Sequence, residues 1–306
     1  MYSLKLILLW VGLDLIIKDP LCLPHPVQGI GFCLKKIEQL ALKSASNLYW
    51  MGFVAVVGLS FMVFGLVQFL TSNSLVGEFF LVYLGFAGLA FGSLIRDGQK
   101  VAEAIYKGDL NLARKRLGFL VSRDTSKMNW EQVRKALLET MAENFNDGFV
   151  APWFYLLVGG VGWMWVYKTI STFDSMWGYK HGYYQQLGFF AAKSDDFLAY
   201  VPARITAFVF GVVGLLVYGK KFSLLQAITD AKKMASPNAG FPIATLAYAL
   251  DVELGGAAIY FGKKVFKPIL GPKGNLPTNE HIKKMFVFLY LSWLLVIGGS
   301  VAIGMM

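Results

Sequence analysis

Residues 47–70, NLYWMGFVAVVGLSFMVFGLVQFL, contain no charged side chain. A helix of that length, rising about 1.5 Å per residue, covers the ~30 Å hydrocarbon core of a bilayer. Four further stretches repeat the pattern. Residues 75–95 carry only Glu78, residues 197–219 carry only Arg204, and 149–167 and 285–306 carry no charge. A sixth stretch, 4–17, is apolar apart from Lys5 and Asp14 and is short for a full crossing. It lacks a small-residue cleavage site and runs into Asp19-Pro20, so it is not read as a removed signal peptide. The composition agrees: 56% of the 306 residues are hydrophobic, 16% are charged, and the mean hydropathy is +0.53. Soluble domains carry about 25% charge. The expectation is an all-α polytopic membrane protein of five to six transmembrane helices with cytoplasmic helical insertions.

A net charge of +10 raises the question of nucleic acid, and its distribution answers it. Loops at 18–47, 96–147 and 219–284 hold 24 Lys and Arg against 14 acidic residues, whereas 71–74 and 171–196 hold 2 Lys against 3 Asp. This is the positive-inside asymmetry. It predicts a multi-pass protein of the cell membrane, its main loops cytoplasmic, with the bilayer as partner and no nucleic acid. Cys22 and Cys33 form no CxxC pair, and His25, His181 and His281 are scattered, so no zinc site is spelled out.

No internal repeat is present, which weighs against a transporter built from inverted halves. Residues 1–306 read as a single membrane domain. Residues 34–45 suggest an interfacial amphipathic helix. A helical hairpin insertion occupies 96–147, its helices at 97–120 and 129–147 separated by VSRDTSK. The loop 219–284 contains a short helix, and its Pro/Gly/Lys-rich end, 262–284, reads as a flexible surface connection.

Chemistry must come from dispersed side chains, because GxxxxGK[ST] and strand-linked GxGxxG motifs are absent. ETMAENFNDGFVAPWF (139–154) puts Glu139, Glu143 and Asp147 on one helical face within about 80° of arc. Such a stripe is either a solvated face or a ligand set for Mg²⁺, which takes one or two carboxylates plus phosphates and water; Asn144 would be a neutral partner. His25 stands between two prolines and with Asp19 could form an acid/base or metal-phosphate pair. Arg123, beside Asp124 and Thr125, offers a guanidinium fork for phosphate, while Asp124, Thr125 or Ser126 could cap the next helix. Asp174, Ser175, Lys180, Asp195, Asp196 and Arg204 lie among interfacial aromatics and exceed what anchoring needs. Ser236 and Asn238 open a helix N-terminus suited to an anion.

In their order, these segments resemble the adenosylcobinamide-phosphate synthase family of cobalamin biosynthesis. The matching stretches are DP…LPHPV…G at 19–31, GDL…AR…L…V.RDT at 108–125, E…AEN..DG..AP at 139–152, T.DSM.GYK at 172–180, DD…PAR at 195–204, SPN.G at 236–240 and LGG at 254–256. Lys18, Ser122, Ser171, Lys193 and Ala199 depart from the family pattern, and none of these removes a carboxylate. The resemblance implies an ATP-dependent acid–amine ligase that joins a corrinoid acid, adenosylcobyric acid, to an aminopropanol phosphate. ATP and Mg²⁺ would be required, and other membrane enzymes of the same pathway would be partners. On that reading Glu139, Glu143 and Asp147 serve Mg²⁺ and the amine, Arg123 and Lys180 contact phosphate, and His25 is the candidate base. One conflict follows: a simple crossing at 149–170 would strand 171–196 away from cytoplasmic ATP, unless 171–196 dips into the bilayer or Pro152, Gly159, Gly160 and Gly162 make 149–170 a broken or re-entrant element. The rival readings are a permease, for which the spans offer only Glu78, with Asp14 or Arg204 towards their ends, as ionisable groups, and a non-catalytic membrane scaffold for a soluble ligase.

Overall fold

The computed structural model describes residues 2–18, 25–43, 47–72, 74–179, 181–219, 223–260 and 262–302. Its first elements are α1 (Leu4–Ile17), α2 (Pro26–Lys43), α3 (Leu48–Thr71), α4 (Ser74–Ala87), α5 (Phe91–Tyr106), α6 (Leu110–Leu117) and α7 (Trp130–Phe145). A π-helical turn, Asn146–Val150, leads into α8 (Ala151–Trp177), α9 (Tyr184–Leu187), α10 (Phe189–Leu198) and α11 (Tyr200–Tyr218). Then come α12 (Leu224–Ala231), α13 (Gly240–Leu250), strands β1 (Leu254–Tyr260) and β2 (Lys263–Leu270), and α14 (Asn279–Ala302). Among the described residues, five helical runs are long and apolar enough to cross a membrane: Leu48–Thr71, Val76–Tyr106, Trp130–Trp177, Tyr200–Val217 and Asn279–Ala302. The chain is an all-α polytopic membrane protein with one small sheet. It divides into two compact units, one built on residues 1–92 and 151–199, the other on 93–150 and 200–304.

In the first unit α8 is not a straight rod. Gly160 has φ 76° and ψ −173°, a conformation essentially restricted to glycine. On a straight helix Tyr155 and Tyr167 would sit about 18 Å apart along the axis. Instead their rings stack at 5.3 Å, and Ala151, Tyr167 and Ala199 share one buried cluster. The helix therefore folds back on itself at Gly160, and the Tyr2 hydroxyl accepts from the Val161 N–H where the second arm begins, at 3.1 Å. This corrects the simple crossing at 149–167: the second arm returns the chain to the end of the hairpin where Ala151 lies. The returning segment is tied to α2, whose Glu38 carboxylate accepts from Trp177 Nε1 (3.3 Å) and the hydroxyls of Tyr183 (2.6 Å) and Tyr184 (2.8 Å). α1 packs on α4, with Trp10 Nε1 donating to the Leu81 carbonyl at 3.1 Å.

In the second unit α7 is buried nearly all round. Val133, Leu137, Met141 and Phe145 face the core as their spacing predicts, but Lys135, Leu138, Glu139 and Thr140 are buried too. The solvated-face alternative is corrected at Glu139, which is 2% exposed. What covers that side is the antiparallel hairpin β1–β2, whose second strand lies in the stretch 262–284 expected to be a flexible connection. The β-branched and aromatic residues Ile259, Tyr260, Val265 and Phe266 favour extended pairing around Gly262, and the lysines and proline between them obscure that pattern. The register slips between Leu254 and Gly256, where Gly255 (φ 84°) and Gly256 (φ 94°) take positive φ.

Two further boundaries differ from expectation. The helix over 97–120 breaks at Gly108 (φ 73°) into α5 and α6. The cap of α7 is Asn129, in a capping box with Gln132, and not Asp124, Thr125 or Ser126. Nor is 219–284 one loop with a short helix, because it holds α12, α13 and the hairpin.

Candidate functional site

The second unit gathers a charged constellation around Glu139. Arg123 Nη2 donates to Glu139 Oε2 at 2.6 Å, and the Gly255 N–H donates to Oε1 at 2.8 Å. Lys267 Nζ stands 3.7 Å from the same Oε2. Local structure places each group. The loop before α7 is pinned by Asp124 N–H donating to the Ile259 carbonyl (2.8 Å), and by the Thr125 hydroxyl donating to the Arg114 carbonyl (2.9 Å). That sets Arg123 over the middle of α7. A Cβ on Gly255 would lie 2.0 Å from the Pro268 carbonyl oxygen, so only glycine brings this N–H to Glu139. Burial would lower the pKa of Arg123, but Glu139, with Tyr260 and Glu143, holds it above its ordinary value. Hydrogen bonds from Ser126 keep exposed Asp124 below the usual carboxylate range.

One turn on, Glu143 is half-buried and, among the described residues, makes neither a hydrogen bond nor an ion pair. Its electrostatic neighbours are Lys267, Glu139 and Arg123. Asn144 donates to the Thr140 hydroxyl at 2.9 Å. The π turn then widens the helix, so Asp147 leaves the strict four-residue stripe; it accepts from Asn146 Nδ2 at 2.7 Å. Asn146 itself is buried, and its Oδ1 accepts from the Thr206 hydroxyl at 2.8 Å.

A second cluster in the same unit joins two motifs distant in sequence. Arg204 donates to Asn238 Oδ1 (2.7 Å) and to the Pro237 carbonyl (3.1 Å). Its guanidinium lies 3.5 Å from the Tyr200 ring centroid and 4.1 Å from that of Phe241. Ser236 Oγ accepts from the N–H groups of Asn238 and Ala239, closing the turn into α13. The hairpin base is held by Glu253, which accepts from Lys135 at 2.7 Å and from the Gly274 N–H at 2.9 Å. Those bonds, Lys135 foremost, depress its pKa.

The other candidates belong to the first unit. His25 caps α2: its Nδ1 accepts from Val27 N–H at 3.3 Å, which leaves Nε2–H to donate to the Ala87 carbonyl at 3.1 Å. Service as a base would first have to release one of those bonds. Ser175 donates to the Thr172 carbonyl at 2.9 Å. Asp174 packs closely on Gly178, where a Cβ would come within 2.1 Å of Asp174 Oδ1. Asp195 and Asp196 lie on α10, Asp195 within electrostatic reach of Tyr155. Asp19 and Lys180 lie outside the described residues.

Sequence reasoning missed Lys267, Asn146 and Thr206. Lys267 sat in a lysine-rich stretch with no local signature, and only the hairpin register delivers it to α7. The LGG motif stands in the sequence, but its use as an N–H donor to Glu139 is not legible there. Among the described residues no group of three or more His, Cys, Asp or Glu converges as a metal cage.

The family model described as CobD/Cbib protein matches residues 7–289. A cobalamin biosynthesis protein CobD of Listeria monocytogenes is 37% identical over 276 residues, 88% of this chain and 87% of that protein. The CobD of Clostridium acetobutylicum is 35% identical over 299 residues, covering 95% of each chain, and that of Streptococcus sanguinis is 36% identical over 296 residues, 95% of this chain and 94% of that protein. No solved structure gives a significant match. With the match running almost end to end, and the motif residues Arg123, Glu139 and Gly255 brought into contact by the fold, the chain belongs to the CobD/Cbib family of cobalamin-biosynthesis proteins.

Proposed function

We propose that the chain is the ATP-dependent amide synthase that joins adenosylcobyric acid to an aminopropanol phosphate. The observation that carries this reading is Arg123, braced on Glu139 beside the unbonded, half-buried Glu143. A carboxylate is a poor acyl donor. In this reading its oxygen attacks the γ-phosphorus of ATP, the bond to the β–γ bridging oxygen breaks, and ADP leaves. The amine nitrogen then attacks the acyl carbon, phosphate departs with the C–O electron pair, and the ammonium proton passes to a base or water.

Arg123 makes one hydrogen bond among the described residues, and none of its nitrogens is a buried orphan. The rest of its fork is free to neutralise charge on a phosphoryl group. Glu139 fixes the orientation of that fork and is committed to doing so. Glu143 is the group that meets the positive partner of the phosphoryl group. The donor set fits Mg²⁺ in the manner usual for phosphate-bridging sites, which need one or two carboxylates and no closed protein cage. When bound there, Mg²⁺ supplies charge neutralisation at the transferring phosphoryl oxygens. Asn146 and Thr206 hold the π turn and so the depth of Asp147.

The test uses the full chain purified in detergent with ATP, Mg²⁺, adenosylcobyric acid and an aminopropanol phosphate. ADP and the amide product should appear together in equal amounts. Absence of both would replace this reading with a permease or a scaffold for a soluble ligase.

A further inference from the structure

We infer that Lys267 is a phosphoryl-binding residue, forming with Arg123 a two-cation jaw that closes on a phosphate group opposite Glu143. The inference rests on reading this site as one that handles phosphoryl groups, and it adds to that reading a residue which no motif marks. Three observations carry it. First, Lys267 is a poor counter-ion for Glu139. Arg123 takes Oε2 at 2.6 Å while Lys267 stays at 3.7 Å, beyond the 2.7–2.9 Å of a charge-assisted hydrogen bond. Among the described residues its ammonium makes no hydrogen bond, so all three donors remain unused.

Second, the side chain is held in place. It is 20% exposed and lies over the Tyr260 ring at 5.7 Å, whereas Lys263 and Lys264 on the same strand are exposed. Its cross-strand partner is Gly256, which presents no side chain between Lys267 and α7. Third, the charges around it are unsatisfied in a matched way. Lys267 has spare donors, Glu143 has spare acceptors, and the Arg123–Glu139 pair beside them is fixed. A ligand carrying a phosphoryl group and an associated cation satisfies both. Mg²⁺-ATP is one such ligand. An amino alcohol phosphate, with its own ammonium, is the other.

Binding to the detergent-purified full chain, measured by calorimetry with Mg²⁺-ATP and with the amino alcohol phosphate separately, decides the matter. Lys267→Ala should weaken one of the two by about tenfold or more, since a hydrogen bond to a charged group is lost, and leave the other within about twofold. The ligand affected identifies which phosphate sits there. Lys267→Arg should recover part of the loss. In the wild-type chain the same ligand should slow chemical acetylation of Lys267 but not of Lys263 or Lys264, a readout that needs no variant to fold. Unchanged affinity for both ligands together with unprotected Lys267 would overturn the inference, as would a wild-type chain that binds neither. Lys267-dependent phosphate binding without any amide product would instead sink the proposed reaction and leave the jaw standing.

Discussion

Glu139 and Glu143 lie one turn apart on α7 in opposite surroundings, the first bonded and buried, the second half-buried, and Glu→Gln at each separates what the two carboxylates do. The Glu139 side chain is 3% exposed and that of Arg123 is 9% exposed. Neutralising Glu139 would leave a buried guanidinium without its counter-charge, which costs about 3–5 kcal/mol. At roughly 2–4 °C per kcal/mol, the unfolding midpoint should fall by on the order of 10 °C. Among the described residues Glu143 has no bond to lose, and its neutralisation relieves a like-charge repulsion of about 0.2–0.5 kcal/mol. Glu143→Gln should therefore keep the wild-type midpoint. Its ADP-forming and amide-forming turnover should fall by about 10²–10³, the usual loss when an electrostatic group at a reacting phosphoryl or acyl centre is removed. Thermal unfolding in detergent and product analysis by mass spectrometry read both quantities on the same preparations. Near-normal turnover in folded Glu143→Gln would refute the catalytic assignment, and equal destabilisation by both changes would refute the division of labour.

Three more outcomes follow from the geometry. Gly255→Ala should destabilise the second unit by about 2–4 kcal/mol, from left-handed strain plus the lost N–H bond to Glu139, seen as faster hydrogen exchange over 254–270; unchanged exchange would mean that the bulge is not what holds Glu139. In a background lacking Cys22 and Cys33, cysteines at Gln39 and Ser175 should react together with a membrane-impermeant maleimide, and a cysteine at Ser72 from the opposite face, because the fold-back at Gly160 and the bonds to Glu38 put the first two on one side. Labelling of Ser175 with Ser72 would restore a straight crossing. Glu253 has a folded pKa below its unfolded one, so its contribution is full above the ordinary glutamate range and fades as pH falls through the depressed value. Acid should thus loosen the hairpin base, and Glu253→Gln should flatten that response when exchange is followed against pH.

The membrane class was legible in the sequence, because charge-free stretches as long as 47–70 and 285–306 match the thickness of a bilayer, where a helix satisfies its own backbone. The residues of the candidate site stood out in part for a different reason: Arg123, Glu139, Glu143, Arg204, Ser236 and Asn238 sit in compact motifs whose residue types exceed what capping or anchoring needs. Tertiary structure alone decided how those motifs are used. Whether a Gly-Gly step continues a helix or reverses it depends on what the two arms find to pack against, and Tyr155 on Tyr167 with Ala151 beside Ala199 settles that only in three dimensions. The partners of Glu139 come from a loop before its helix and from a hairpin more than a hundred residues later, and no local pattern encodes such a pairing. Lys267 is one lysine among several until the register of β2 turns it inward. Burial and long-range contact choose, among residues of like type, the few that share a site, and they are properties of the folded chain.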